Sequence, residues 1–359
     1  MNKEFSIYLD LVRFVAAMLV VVAHSYGQSI TGGVLWQLAP FGKTAVIIFF
    51  ILSGYVIAFV TDTREKNIYT YGISRVSRIY SVVVPAVFFT YVCNYLGGIF
   101  VHIEFIEPWY HYDASLINYA LSIPLLQNIW QLGLNPPNNG SMWSLTYELV
   151  YYILFAIFYF VPNKWFKILL FILVSCVAGP AIISLFPIWL AGYFLYKMHS
   201  RLDLKRENFS FVYLVIWIIS IAAMVIGGPK LVNNYQISSG FLNSRIIADY
   251  YEAICFSVHL FVTPAVIQPI KRYFIKYQRV IVTLGSLTFV LYLFHMPYVR
   301  LMSVLSPFSD KSSVFNVMLV YVGVLLLAYI GTFWCDKLKV LMKNYCQALI
   351  PFRYKNREQ

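Results

Sequence analysis

One apolar helix near the N-terminus carries the side chains whose types and spacing most clearly suggest chemistry. The stretch YLDLVRFVAAMLVVVAHS holds Asp10, Arg13 and His24 in an otherwise hydrophobic run. Eleven residues make about three helical turns, so Arg13 and His24 share one helix face roughly 16 Å apart along the axis. Asp10 lies one turn before Arg13, within reach of an ion pair. An imidazole placed in this way can accept a proton from a hydroxyl group. The alternative is an interfacial ion pair and a histidine that makes a helix–helix hydrogen bond.

A carboxylate on a second apolar run is expected at a similar depth. Glu148 in NGSMWSLTYELVYY lies about two turns below the outer membrane surface, comparable with His24. A carboxylate beside an imidazole raises its basicity and fixes its tautomer, so we expect Glu148 to orient His24 or to stabilise its charged form. The alternative is a buried Glu148 that accepts hydrogen bonds from Trp or Tyr.

Two arginines begin a third apolar run, in the motif ISRVSRIY. Arg75 and Arg78 are three residues apart and therefore adjacent on one helix face. Paired arginines at a helix start suit a phosphate group. Arginines at cytoplasmic helix ends are also common orientation signals, and the spacing alone favours that second interpretation.

Three smaller features complete the candidate residues. His295 lies two residues before Pro297 in LYLFHMPYV, and it either lines a cavity beside a loosened helix or packs in the core. Gly54 follows Ser53 in FFILSGYVI, which allows a close helix approach or leaves room for a narrow ligand arm. Ser53 has no base adjacent in sequence, so it is not a nucleophile candidate. His259 is assigned to packing, and no histidine has the spacing of a metal site.

The elements that must position these groups are membrane-spanning helices. Of the 359 residues, 60% are hydrophobic and 12% are charged, against about 45–50% and 25% in soluble domains. These values exclude an ordinary soluble protein and a disordered chain, and the five scattered cysteines do not form a disulfide framework. We predict an all-α polytopic membrane protein that forms one domain over residues 1–359, with no fused soluble domain.

Ten apolar runs are predicted to span the bilayer, at residues 9–29, 43–61, 79–100, 142–161, 165–179, 181–196, 210–228, 247–268, 281–302 and 314–334. Most of the 27 lysines and arginines then fall on one side, which places both termini in the cytoplasm. The net charge of +12 reflects these short basic clusters and not nucleic-acid binding. The apolar segment 116–132 is interpreted as an interfacial or re-entrant piece. Aromatic residues of the outer loop 101–141, including Trp109 and Trp130, are candidates for stacking on sugar rings.

The order of these motifs resembles the acyltransferase type 3 family of integral membrane O-acyltransferases. The resemblance covers residues 5–80, 140–152 and 284–298, and it includes FGKTAVIIFFILSGYVI and SRVSRIY. It implies a ten-helix bundle in a bacterial inner membrane. Such a bundle moves an acyl group, usually acetyl, from cytoplasmic acyl-coenzyme A to a hydroxyl of a carbohydrate. The expected acceptor is a lipid-linked O-antigen or another cell-envelope polysaccharide.

The resemblance also implies roles for the residues named above. Arg13 and His24 are the essential pair, with Glu148 and Asp10 beside them as further catalytic candidates. The expected donor contacts are Arg75, Arg78, Ser53 and Gly54, and the expected acceptor contacts are Trp143, Ser144 and His295. Direct transfer and an acyl-histidine intermediate are both compatible with the sequence.

The sequence also suggests which partners the protein binds and which other function classes compete with an acyltransferase. We expect no permanently bound cofactor and no metal, with acetyl-coenzyme A as donor substrate, membrane lipids around the bundle, and self-association left open. The competing class is a transporter or flippase of a glycolipid or small metabolite. Many such proteins contain two related halves with paired broken helices, which are not evident in this sequence. A non-catalytic scaffold would leave the polar stripe of the first helix without a purpose.

Overall fold

The computed structural model describes residues 2–100, 115–202, 211–235 and 242–348. These residues form α-helices joined by turns and short 3₁₀ segments, and they contain no β-strand. The α-helices are α1 (Lys3–Ser25), α2 (Gln28–Thr31), α3 (Gly42–Thr63), α4 (Ile68–Phe100), α5 (Leu116–Ser122), α6 (Trp143–Phe160), α7 (Lys164–Ala178), α8 (Pro180–Arg201), α9 (Phe211–Asn234), α10 (Ile246–Val266), α11 (Lys271–Lys276), α12 (Gln278–Leu305) and α13 (Val314–Ala348). The predicted all-α fold is confirmed.

Each of the ten predicted spans corresponds to one helix of this set. Within the described ranges, nine helices are long and apolar enough to cross a membrane, namely α1, α3, α4, α6, α8, α9, α10, α12 and α13. The tenth, α7, has only 15 residues. At 1.5 Å per residue it is about 22 Å long, shorter than the ~30 Å hydrocarbon core of a bilayer. The predicted break between the fifth and sixth spans falls at Gly179, whose φ is +89°.

Several helix ends differ from the predicted limits. The first helix begins at Lys3 and ends at Ser25, several residues earlier at both ends than the predicted 9–29. Helices α4 and α13 extend well beyond their apolar runs, because hydropathy marks the part of a helix in lipid and not the polar turns that continue it. These shifts change the depth at which each side chain lies.

The segment 116–132 does not span. Its one α-helix, α5, has seven residues, and the indole of Trp130 donates a hydrogen bond to the Cys176 carbonyl of α7 at 3.0 Å. The Gln127 amide donates to the Met142 carbonyl at 3.1 Å. This segment therefore packs on the bundle, as predicted for an interfacial piece. Trp109 and the other loop aromatics between residues 101 and 114 lie outside the described residues.

The turn Pro136–Gly140 forms a buried polar plug between two helices. Asn139 is fully buried, and its amide donates to the Thr90 hydroxyl of α4 at 2.9 Å and to the Leu293 carbonyl of α12 at 3.1 Å. Asn94 of α4 donates to the Pro137 carbonyl at 2.9 Å. The plug satisfies polar groups that would otherwise be exposed to hydrocarbon, and it fixes the start of α6.

The centre of the bundle is built from helices that approach closely at glycines. A Cβ atom at Gly54 of α3 would overlap the Trp189 carbonyl of α8, and one at Gly192 of α8 would overlap the Ile51 carbonyl of α3. A Cβ at Gly285 of α12 would lie 2.7 Å from the Cβ of Asp10 on α1. Gly54 therefore allows α3 and α8 to pack closely where they cross. The expectation that it leaves room for a donor arm is wrong, because backbone fills that space.

Candidate functional site

A cavity of about 790 Å³, counting the part that opens to the outside, lies between α1, α3, α4, α6 and α12. Its walls are mostly aliphatic and aromatic, with a few polar side chains that converge from five helices. The polar lining comprises Arg13, Ser53, Arg78, Ser144, Glu148, Tyr152, Thr288 and Tyr292. A largely apolar cavity with a few placed polar groups is the usual form of a small-molecule site.

Glu148 is held in the cavity wall by hydroxyl donors. The Ser53 hydroxyl donates to Glu148 Oε1 at 3.0 Å, and the Tyr152 hydroxyl donates to the same oxygen. The Trp189 indole donates to Ser53 Oγ at 3.2 Å. The predicted contact between Glu148 and His24 is therefore wrong. The alternative, a Glu148 that accepts hydrogen bonds from Trp or Tyr, holds in part: Tyr152 is one donor, Ser53 is the other, and Glu148 is half-buried.

Two arginines from different helices face this cavity. Arg13 of α1 lies 3.6 Å from Asp10, measured from Nη1 to Oδ1, so the expected pairing of these two residues is present. Arg13 also interacts electrostatically with Arg78 of α4 and with Glu148 of α6. The cavity thus combines two guanidinium groups with one fixed carboxylate, which is an arrangement suited to an anionic ligand.

Arg75 does not line the cavity with Arg13 and Arg78. Its Nη2 atom lies 2.6 Å from Glu65 Oε1, both side chains are buried, and its guanidinium lies 5.4 Å from the ring centre of Tyr71. Three helical residues rotate a side chain by about 60° from its neighbour, which here turns Arg75 away from the cavity. The prediction that both arginines form one clamp is therefore wrong, because only Arg78 lines the cavity and Arg75 is paired with Glu65.

The two candidate histidines meet each other. His295 Nε2 lies 3.1 Å from His24 Nδ1, and their ring centres are 5.1 Å apart. Each Nδ1 also approaches a carbonyl one turn earlier on its own helix: His24 and Val20 at 2.9 Å, and His295 and Leu291 at 3.1 Å. His295 is fully buried, whereas His24 is partly exposed.

Tyr292 joins this histidine pair to the cavity. Its ring centre lies 6.1 Å from that of His295, and its hydroxyl forms a 2.8 Å hydrogen bond with Ser144 in the cavity wall. Trp143 packs edge to face on Tyr147, with ring centres 5.0 Å apart. Of the expected acceptor contacts, only Ser144 is among the cavity-lining residues.

Sequence reasoning missed three residues near these groups. Tyr292 and Tyr152 are one turn from His295 and Glu148, and that i,i+3 or i,i+4 spacing was the available signal. Arg300 of α12 interacts electrostatically with both histidines. Within the described ranges, no cluster of three or more His, Cys, Asp or Glu residues is suited to a metal ion.

Comparisons with known proteins identify the family of this chain. A family model described as an acyltransferase domain matches residues 6–337. The O-acetyl transferase of Shigella phage Sf6 is 29% identical over 176 residues, which are 46% of this chain and 50% of the phage protein. The chain thus aligns with about half the length of this curated relative, and no solved structure matches it. Because the family model extends over most of the chain, this protein belongs to the acyltransferase type 3 family.

Proposed function

We propose that this protein is a membrane O-acetyltransferase that moves an acetyl group from acetyl-coenzyme A to a hydroxyl of a cell-envelope carbohydrate. The observation that carries the proposal is a cavity walled by Arg13 and Arg78. The His24–His295 pair is outside the cavity lining and is linked to it by Tyr292. Family membership and the similarity to a phage O-acetyl transferase support the reaction class. In this proposal the membrane is a bacterial inner membrane with both termini in the cytoplasm, as the distribution of basic residues indicates.

The donor is expected to bind from the cytoplasmic end. Moving several phosphate charges into hydrocarbon is prohibitive, so the nucleotide stays at the cavity mouth, where Arg78 and Arg13 offer charged donors. The apolar walls, which include Phe49, Val56 and Phe289, suit the long uncharged arm that carries the thioester. Arg75 contributes indirectly, because its ion pair with Glu65 fixes the helix that presents Arg78.

His24 is the proposed general base. It takes the proton of the acceptor hydroxyl as that oxygen attacks the thioester carbonyl, the carbon–sulfur bond breaks, and the coenzyme A thiolate leaves and receives the proton from His24. A positioned base contributes typically ~10²–10⁴-fold, and alignment of the two substrates contributes a comparable or larger factor. Glu148 and its hydroxyl donors hold the cavity wall and balance the charge of Arg13.

The test uses the full chain purified into lipid nanodiscs with radiolabelled acetyl-coenzyme A and a lipid-linked glycan. We expect label in the glycan, a mass increase of one acetyl group, and loss of transfer in His24→Ala. His259→Gln serves as a matched control, since His259 is a buried histidine bonded to Tyr8 at the other end of α1. Folded protein that transports a glycolipid but transfers no label would overturn the proposal, as would an active His24→Ala variant. Label retained on His24 would indicate the acyl-histidine route.

A further inference from the structure

We infer that His295 is a positioning residue that holds His24 with its proton on Nδ1 and its lone pair on Nε2. This inference rests on the proposed acyl transfer and replaces the expectation that His295 contacts the acceptor. His295 is fully buried, and both of its ring nitrogens face protein atoms. It therefore acts on the reaction through His24.

The tautomer of His295 follows from the carbonyl beside it. Its Nδ1 lies 3.1 Å from the Leu291 carbonyl oxygen. A carbonyl oxygen can only accept a hydrogen bond, so Nδ1 carries the proton. In a neutral ring the other nitrogen, Nε2, then holds a lone pair. This lone pair is directed at His24 Nδ1, 3.1 Å away.

The tautomer of His24 follows by the same reasoning. Its Nδ1 lies 2.9 Å from the Val20 carbonyl oxygen and 3.1 Å from the His295 lone pair, so two acceptors share one N–H donor. The opposite arrangement would set a lone pair of each ring against a carbonyl oxygen. Repulsion between a ring lone pair and each carbonyl oxygen is therefore avoided only when His24 Nε2 is the unprotonated nitrogen. That nitrogen is the one free to accept a proton from a hydroxyl.

The pair also prepares His24 for the charge that it acquires. When Nε2 accepts a proton, the ring becomes a cation and its Nδ1–H bond to His295 becomes charge-assisted and stronger. His295 thus supplies the orienting acceptor that a carboxylate supplies in a Ser-His-Asp triad.

The experiment compares two replacements of similar size in the full chain in nanodiscs. In His295→Gln, the amide oxygen accepts from His24 and the amide nitrogen donates to Leu291, so most of the turnover is retained. In His295→Met the acceptor is lost, and kcat is expected to fall roughly tenfold to a hundredfold with the donor KM unchanged. His259→Gln and His259→Met are matched controls that leave kcat unchanged. Equal losses in both His295 variants, or a wild-type kcat in His295→Met, would overturn the inference.

A second measurement does not depend on turnover. Nitrogen-15 NMR of histidine-labelled protein, with the His24 signals identified by their loss in His24→Gln, reports which ring nitrogen carries the proton. We expect a protonated Nδ1 and an unprotonated Nε2 in the neutral His24 ring, and a proton on Nε2 would refute the positioning role. If the wild-type protein transfers no acetyl group, the proposed function is rejected. The NMR measurement still determines which nitrogen of His24 carries the proton.

Discussion

Replacement of Arg75 is expected to lower stability, whereas replacement of Arg78 is expected to weaken donor binding. Arg75 is 6% exposed and Glu65 is 7% exposed, with 2.6 Å between their charged atoms. Removal of one partner from a buried ion pair leaves an uncompensated charge, which typically costs ~3–5 kcal/mol. At about 2 °C per kcal/mol, the melting temperature of Arg75→Gln in detergent should fall by about 6–10 °C.

Two further variants separate charge from packing. The double variant Arg75→Met with Glu65→Met removes both charges together, and most of the lost stability should return. Arg78→Gln should keep the wild-type melting temperature and raise the donor KM for acetyl transfer roughly tenfold, through loss of a charge-assisted hydrogen bond. The assignment of one arginine to the fold and one to the cavity is refuted if Arg75→Gln raises the donor KM at unchanged stability while Arg78→Gln has no effect.

Two other predictions concern the helix crossing and the cavity carboxylate. Gly192→Ala should destabilise the protein by ~1–3 kcal/mol, because its Cβ meets the backbone of α3. Gly72→Ala, where a Cβ meets nothing within 4 Å, should leave the thermal unfolding curve unchanged or slightly raised, so equal losses in the two variants would contradict the crossing. Glu148→Gln keeps the size of the side chain and removes its charge, and kcat/KM for acetyl transfer should fall about tenfold. If Glu148→Gln keeps the wild-type kcat/KM, the charge of Glu148 does not contribute to acetyl transfer.

Much of the fold could be predicted because long apolar runs have few structural solutions. A run of about 20 apolar residues in a chain of this composition forms a helix, since only a helix satisfies its backbone in lipid. The ten predicted runs correspond to ten helices for this reason, and even the weakest, 165–179, is α7. Helix ends were less accurate, because the polar turns of α4 and α13 continue the helix without an apolar signal.

The errors at the site follow from errors in depth. The first helix was expected to continue to residue 29 but ends at Ser25, so His24 lies in its last turn, about 6 Å nearer to the helix end than predicted. Glu148 is in the second turn of α6 and therefore lies deeper than His24. The partner of His24 is instead His295, which the sequence also placed towards the outer end of its helix. A comparison of the positions of His24 and His295 along their helices could have predicted this contact from the sequence.

The Asn139 plug has a consequence for the order in which the protein assembles. Its hydrogen bond to Leu293 joins residues 154 positions apart, so a ribosome that adds ~5–20 residues per second needs about 8–30 s to make the second partner after the first. During that interval the Asn139 amide donates to Thr90 of α4 but not to Leu293, because α12 has not yet been synthesised. Closure of the bundle wall beside the histidines is therefore a late event in biogenesis, and truncated chains that end before α12 lack one of the two hydrogen bonds that the Asn139 amide donates.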